Sequence, residues 1–263
     1  MISIKFDIIY LIGMSSIIEK LKPTTGFSAF LHLLLNILFP IVLLVLVRLN
    51  FIQLAFSLVL LSKWRMVAVK PRFWIANFRA NAVDMIVGLS IVIFMTHTTN
   101  IYYQIAWVAL YAVWLIYIKP SSSLIINSAQ SFIGQALGLS AVFLAWVNGP
   151  LYGLTFLSGI ICYFAAHHFF DDFDEPYARL LSYIWAYFGA ALTWVLAHWL
   201  IYYKFVAQPT LLLGVIGYGM ATLYYLDHQS KLNKLLRRQV IIAMLLFTFL
   251  ILFISNWWGS KIV

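Results

Sequence analysis

Charge is what this chain has least of. Only 10% of its 263 residues are Asp, Glu, Lys or Arg, where a soluble domain carries about a quarter. With 64% of the residues hydrophobic, that shortage excludes an ordinary soluble core. Cysteine is nearly missing as well. Cys162 stands alone, so no intrachain disulfide and no paired-cysteine zinc site can form. There is no Gly-rich phosphate loop with its lysine and no Gly-x-Ser-x-Gly elbow, which excludes a P-loop ATPase and a serine hydrolase of that pattern. No Pro-, Gly- or Ser-rich linker exceeds a few residues, so a single integral membrane domain over 1–263 is expected. The first twenty residues lack a basic stretch, a compact apolar run and a small-residue cleavage site in that order, and they predict no cleavable leader.

What the chain does have is long apolar runs. They are continuous rather than alternating, which favours helices over a membrane barrel. The expected fold is all-α: a polytopic transmembrane bundle of about nine helices. The runs lie near 27–47, 49–62, 80–95, 101–118, 124–146, 151–166, 180–203, 210–226 and 240–258. The second is short for a bilayer that needs about twenty residues per helix, so 27–62 also reads as a re-entrant pair. Pro40 is expected to kink the first run. Residues 1–22 are apolar but broken by Lys5, Asp7, Glu19, Lys20 and Lys22, a pattern suited to an interfacial helix.

The basic stretch Lys63–Arg79 organises the rest. It holds five cations and no acid, interleaved with Trp64, Phe73, Trp74 and Phe78. Lys63, Arg65, Lys70, Arg72 and Trp74 are the expected headgroup contacts, because cations beside membrane spans meet anionic lipid and Trp sits at the interface. The net charge of +9 therefore points to the lipid bilayer and not to nucleic acid. Basic loops stay cytoplasmic. Alternation from Lys63–Arg79 then puts fourteen of the seventeen Lys and Arg on that side. The expected protein is a multi-pass cell-membrane protein, N-terminus cytoplasmic and C-terminus outside. Homo- or hetero-oligomers through the membrane helices are compatible with this reading.

The loop after the sixth run, HHFFDDFDEPYAR, concentrates four of the eight acids in five residues. Imidazole and carboxylate together can ligate a divalent metal, which makes His167, His168, Asp171, Asp172 and Asp174 the candidate metal ligands. If the helix continues, His167 and Asp171 share a face one turn apart, as do His168 and Asp172. The ordinary reading is a solvated turn, with Pro176 opening the next helix and acids near its N-terminal dipole. Nine helices and the Asp171–Glu175 cluster resemble the intramembrane prenyltransferases of the UbiA type, whose second aspartate motif follows the sixth helix. Lys70–Asn77 is similar to that family's basic-aromatic segment. The resemblance implies a magnesium-diphosphate site at the cytoplasmic face. The chain departs from the family after the second run, where its first aspartate motif belongs and no acid stands here.

Polar residues inside the runs are the remaining candidates. Asp84 is an acid within lipid depth, a functional candidate by default, with Arg79 its expected partner. Asn127, Gln130, Ser131 and Gln135 share the fifth run with Gly134-x-x-x-Gly138. They read as interhelical contacts, or as a polar path for a solute. His32 and Asn36 stand one turn apart on the first run. No catalytic residue is identified and no cofactor is expected. The first functional reading is a non-enzymatic transport, channel-like or membrane-scaffold component. The alternative is a transferase-like intramembrane enzyme acting on a lipid-linked substrate, with a divalent metal held by the 167–175 cluster.

Overall fold

The computed structural model describes residues 26–255, apart from 67, 69, 122, 147–148, 199–201 and 204–205. The expected interfacial segment 1–22 lies outside the described residues, as does the side chain of His32. Each apolar run forms a helix. Nine are present among the described residues: α1 (Gly26–Arg48), α2 (Ile52–Leu61), α3 (Trp74–Thr96), α4 (Ile101–Val113), α5 (Leu124–Ala145), α6 (Leu151–Asp171), α7 (Ala178–Ala197), α8 (Gln208–His228) and α9 (Lys234–Ile254). A π turn, Trp114–Ile118, extends α4. Two short 3-10 turns, Trp64–Met66 and Pro71–Phe73, lead into α3.

Seven helices, α3 to α9, are long and apolar enough to cross a membrane. The other two are α1, apolar over Leu33–Arg48, and the ten-residue α2. At 1.5 Å per residue, α2 covers only about 15 Å of a hydrocarbon core about 30 Å thick. α1 runs on through Pro40 without a break in its helix.

Helix starts follow local chemistry. Asn100, Ser123 and Asn233 each accept a hydrogen bond from a backbone N–H of the first turn of α4, α5 and α9. These side chains satisfy donors that a helix cannot pair itself. α3 begins at Trp74 rather than near Ala80, and α6 continues to Asp171 rather than ending at Ala166. In both cases the helix keeps its backbone bonds after its side chains turn polar. Tyr202–Tyr203 and Val206–Ala207 pair as a minimal antiparallel ribbon between α7 and α8, Tyr202 opposite Ala207.

α3 and α5 form the centre. α3 packs on α5 and also meets α1, α2, α4 and α6, while α5 packs on α6 and α8. Gly134 and Gly138 make the α3–α5 approach possible. A Cβ at Gly134 would stand 2.7 Å from Val83 Cγ1, and one at Gly138 would stand 2.6 Å from Ile86 Cγ2. Val87, Ile91, Val92 and Met95 of α3 meet Leu43, Val59, Tyr111 and Ala141 in the main apolar cluster. α9 packs on α8 and has no buried residue. Its Phe249 and Phe253 face outward, as lipid-facing side chains do.

Candidate functional site

One end of the bundle gathers most of the polar side chains. Lys63 and Lys119 meet Asp84 there, and the starts of α3 and α5 meet the end of α6.

Asp84 lies in the middle of α3 and is 8% exposed. Its expected partner was Arg79, but an α-helix aims positions five apart in different directions. The partners come from other elements. Lys63, just past the short α2, forms an ion pair with Asp84 Oδ2. Lys119 Nζ reaches the same oxygen at 2.7 Å. Trp114 Nε1 donates to Oδ1 at 2.9 Å. Two lysines thus share one carboxylate, and the indole fixes its other oxygen.

The local structure explains each reach. Because α2 is short, the chain turns while still at the depth of Asp84 and delivers Lys63 there. The π turn does the same for α4. Its Lys119 N–H donates to the Trp114 carbonyl at 2.9 Å, an i→i+5 bond. The wider turn brings Trp114 and Lys119 onto one side, where both meet Asp84. Such turns interrupt α-helices often at functional sites. Asp84 is five residues inside the level of Arg79, about 7.5 Å along the helix axis.

Lys63 therefore departs from the headgroup role expected of it: it is buried, at 9% exposure. Lys70, Arg72 and Trp74 are exposed as that role requires, and Trp64 is 63% exposed. Arg72 lies over the Phe73 ring at 4.5 Å. The Arg65 side chain is outside the described residues.

A cleft of about 730 Å³ opens beside the lysines, between α1, α2, α3 and α4. Leu35, Leu38, Phe39, Val42 and Leu58 form an apolar wall, and Lys63, Lys119, Asn77, Asn81 and Ser62 supply polar groups. Tyr111 also lines it. This side chain is 1% exposed, and its hydroxyl has no hydrogen-bond partner among the described residues. Gly88 leaves room for it, since a Cβ there would stand 2.6 Å from the Tyr111 oxygen. Sequence patterning gave no sign of Tyr111, whose environment only the assembled helices create.

The acidic loop is organised differently. α6 continues far enough for His167 and His168 to stand one turn from Asp171 and Asp172. The two histidines nevertheless face other helices. Arg79 Nη1 stands 3.2 Å from His167 Nε2, so the guanidinium donates to the ring nitrogen that a metal would use. His168 Nε2 donates to Gln130 Oε1 at 3.1 Å. Asp171 and Asp174 are exposed. Asp172 takes support from the Asn127 side chain, but burial pushes its carboxyl above the usual Asp range, against the pull of His168. Glu175 accepts a hydrogen bond from Tyr224 of α8. Among the described residues no three His, Cys, Asp or Glu side chains form a group that could hold a metal ion. None of the loop acids forms an ion pair with Arg179, Lys119 or the cations of 231–238 among those residues.

The polar residues of α5 hold helices together. Gln130 Nε2 donates to the Ile118 carbonyl at 2.7 Å. Gln135 Nε2 donates to the Leu213 carbonyl of α8 at 3.2 Å, and its Oε1 accepts from Trp185 Nε1 of α7 at 2.7 Å. No family model, curated protein or solved structure matches the chain.

Proposed function

We propose that this multi-pass membrane protein is a non-enzymatic transport or scaffold component that binds an amphiphile in the cleft between α1 and α4. The observation that carries the reading is the composition of that cleft. An apolar wall faces a polar floor in a volume of about 730 Å³, inside the range of small-molecule sites. Leu35, Leu38 and Val42 on α1 are exposed, so a lipid-like tail has access from the membrane. A polar solute path along α5 gains no such support, because Gln130 and Gln135 already bond neighbouring helices. The metal-dependent transferase gains none from the acidic loop, where Arg79 and Gln130 engage both histidines.

We place the lysine end on the cytoplasmic side of the cell membrane, which puts Ser230 inside and Thr99 outside. Basic loops supply the reason. Cys162 is buried, so the native chain is a silent background for labelling. In intact cells an impermeant thiol reagent should label Thr99→Cys and leave Ser230→Cys unlabelled. The reverse pattern would invert the orientation.

A photoreactive side chain at Leu38 tests the cleft. It should capture one defined class of amphiphile, whereas the same group at Leu246 on α9 should capture bulk lipid. Equal mixtures at both sites would remove the binding reading.

A further inference from the structure

We propose that Lys63, Lys119 and Tyr111 form the head-group site of this cleft, and that it takes an amphiphile with an anionic head, a phosphate or a carboxylate. The proposal rests on the amphiphile reading above and adds the chemistry of the head.

Charge is the first argument. Two lysines meet one aspartate, so the cluster carries a surplus positive charge at lipid depth. An unbalanced cation there is costly and conspicuous. One anionic head would leave Lys63 paired with Asp84 and Lys119 paired with the ligand. A cationic head would worsen the imbalance, and a neutral head would leave it unchanged.

Mobility is the second. The two lysines are not equivalent. Lys63 has 9% of its side chain exposed, while Lys119 has 40% exposed. Lys119 can turn from Asp84 toward a ligand while Trp114 and Lys63 keep Asp84 in place.

The third is Tyr111. Its ring lines the cleft, while its hydroxyl is buried against Gly88 and lacks a partner among the described residues. A buried polar group left unpaired is costly, and a small shift of the ring toward the cleft would let a head-group oxygen accept its proton.

The test uses the full chain in a neutral detergent, with thermal unfolding and equilibrium binding as readouts. The probes share one tail: dodecyl phosphate, dodecanoate, dodecyl maltoside and dodecyl trimethylammonium. Inorganic phosphate is added as a tail-free control. The two acidic probes should bind and raise the unfolding temperature more than the others. Lys119→Met should weaken their binding about tenfold or more, while dodecyl maltoside is unaffected. This variant leaves Lys63 and Asp84 paired, so it should fold. Tyr111→Phe should weaken acidic probes by a smaller factor, with the fold intact. Equal binding of every head, with Lys119→Met neutral, would overturn the head-group proposal and leave the cleft reading standing. Failure of all tailed probes would overturn both. Inorganic phosphate binding as tightly as dodecyl phosphate would show an ion site and overturn the amphiphile.

Discussion

In α5–α8, Gln135 joins Trp185 to the Leu213 carbonyl, Gln130 joins His168 to the Ile118 carbonyl, and Tyr224 reaches Glu175. In α1–α4, two lysines crowd one aspartate beside an open cleft, and the Tyr111 hydroxyl is unpartnered among the described residues. Both regions bury polar groups. The first uses the bonded ones to fix helix positions, while Thr155, Ser158, Thr193 and Thr210 there keep buried hydroxyls without a partner among the described residues. The second leaves a surplus positive charge beside an open space. Neither polar residues inside a membrane bundle nor their unpaired atoms therefore mark a site by themselves; an unbalanced charge beside an open space does.

The strongest way to break this contrast is to remove Asp84, the buried acid in the middle of α3. Asp84→Ala would leave Lys63 buried and uncompensated, and losing one partner of a buried pair costs about 3–5 kcal/mol. The unfolding temperature in detergent should fall sharply. Adding Lys63→Met should recover much of the loss, because the buried charge goes with its partner. An Asp84→Ala variant as stable as the parent would show that the cluster is already hydrated and carries no strain of charge.

Packing gives the next largest effect. A Cβ at Gly138 would stand 2.6 Å from Ile86 Cγ2 and 3.0 Å from Ile161 Cγ2. Gly138→Val should cost about 1–3 kcal/mol by overpacking the α3–α5–α6 junction. Gly214 is the control in the same region: a Cβ there first meets Phe132 at 4.0 Å, and Gly214→Ala should be close to neutral. Equal effects at both glycines would argue against a tight centre.

A smaller loss is expected from Gln135→Leu. It strands the Trp185 N–H and the Leu213 carbonyl, and interhelical hydrogen bonds of this kind are worth about 1–2 kcal/mol at most. Amphiphile binding in the distant cleft should not change. If it did, the two regions would be coupled and the contrast between them would weaken.

The helices were legible from the sequence because apolar runs of this length admit few alternatives. Their ends were less so. The first turns of α3, Trp74–Arg79, carry one cation and two aromatics and read as a surface segment, yet the backbone is already helical there. Gly134-x-x-x-Gly138 announced a close approach, and α3 supplies it. The oddness of 167–175 was also plain. Its partners were not, because Arg79, Gln130 and Tyr224 belong to helices far away in the chain. Asp84 shows the same limit most clearly. Sequence distance suggested Arg79, while a short α2 and a π turn brought Lys63 and Lys119. The second run did read as short, but neither the reach of Lys63 to Asp84 nor the turn at Trp114 has a local signature strong enough to read.

The smallest effect concerns Asp172, at the boundary between these regions and water. Burial raises its carboxyl, with Asp171 adding to the rise, while His168 and Asn127 oppose it. A carboxyl raised in the folded state is favoured there in its neutral form. Its contribution is complete below the ordinary Asp value near 3.9 and is lost as pH rises through the higher folded value. Asp172→Asn keeps the neutral shape at every pH. The variant and the parent should therefore unfold alike in acid. They should separate as pH rises past the ordinary Asp range, the variant becoming slightly the more stable. Unfolding temperature measured from about pH 3 upward in one detergent would show it. A parent that gains on the variant as pH rises would mean that the ionised carboxylate is held by a partner, and would reopen the acidic loop as a cation site.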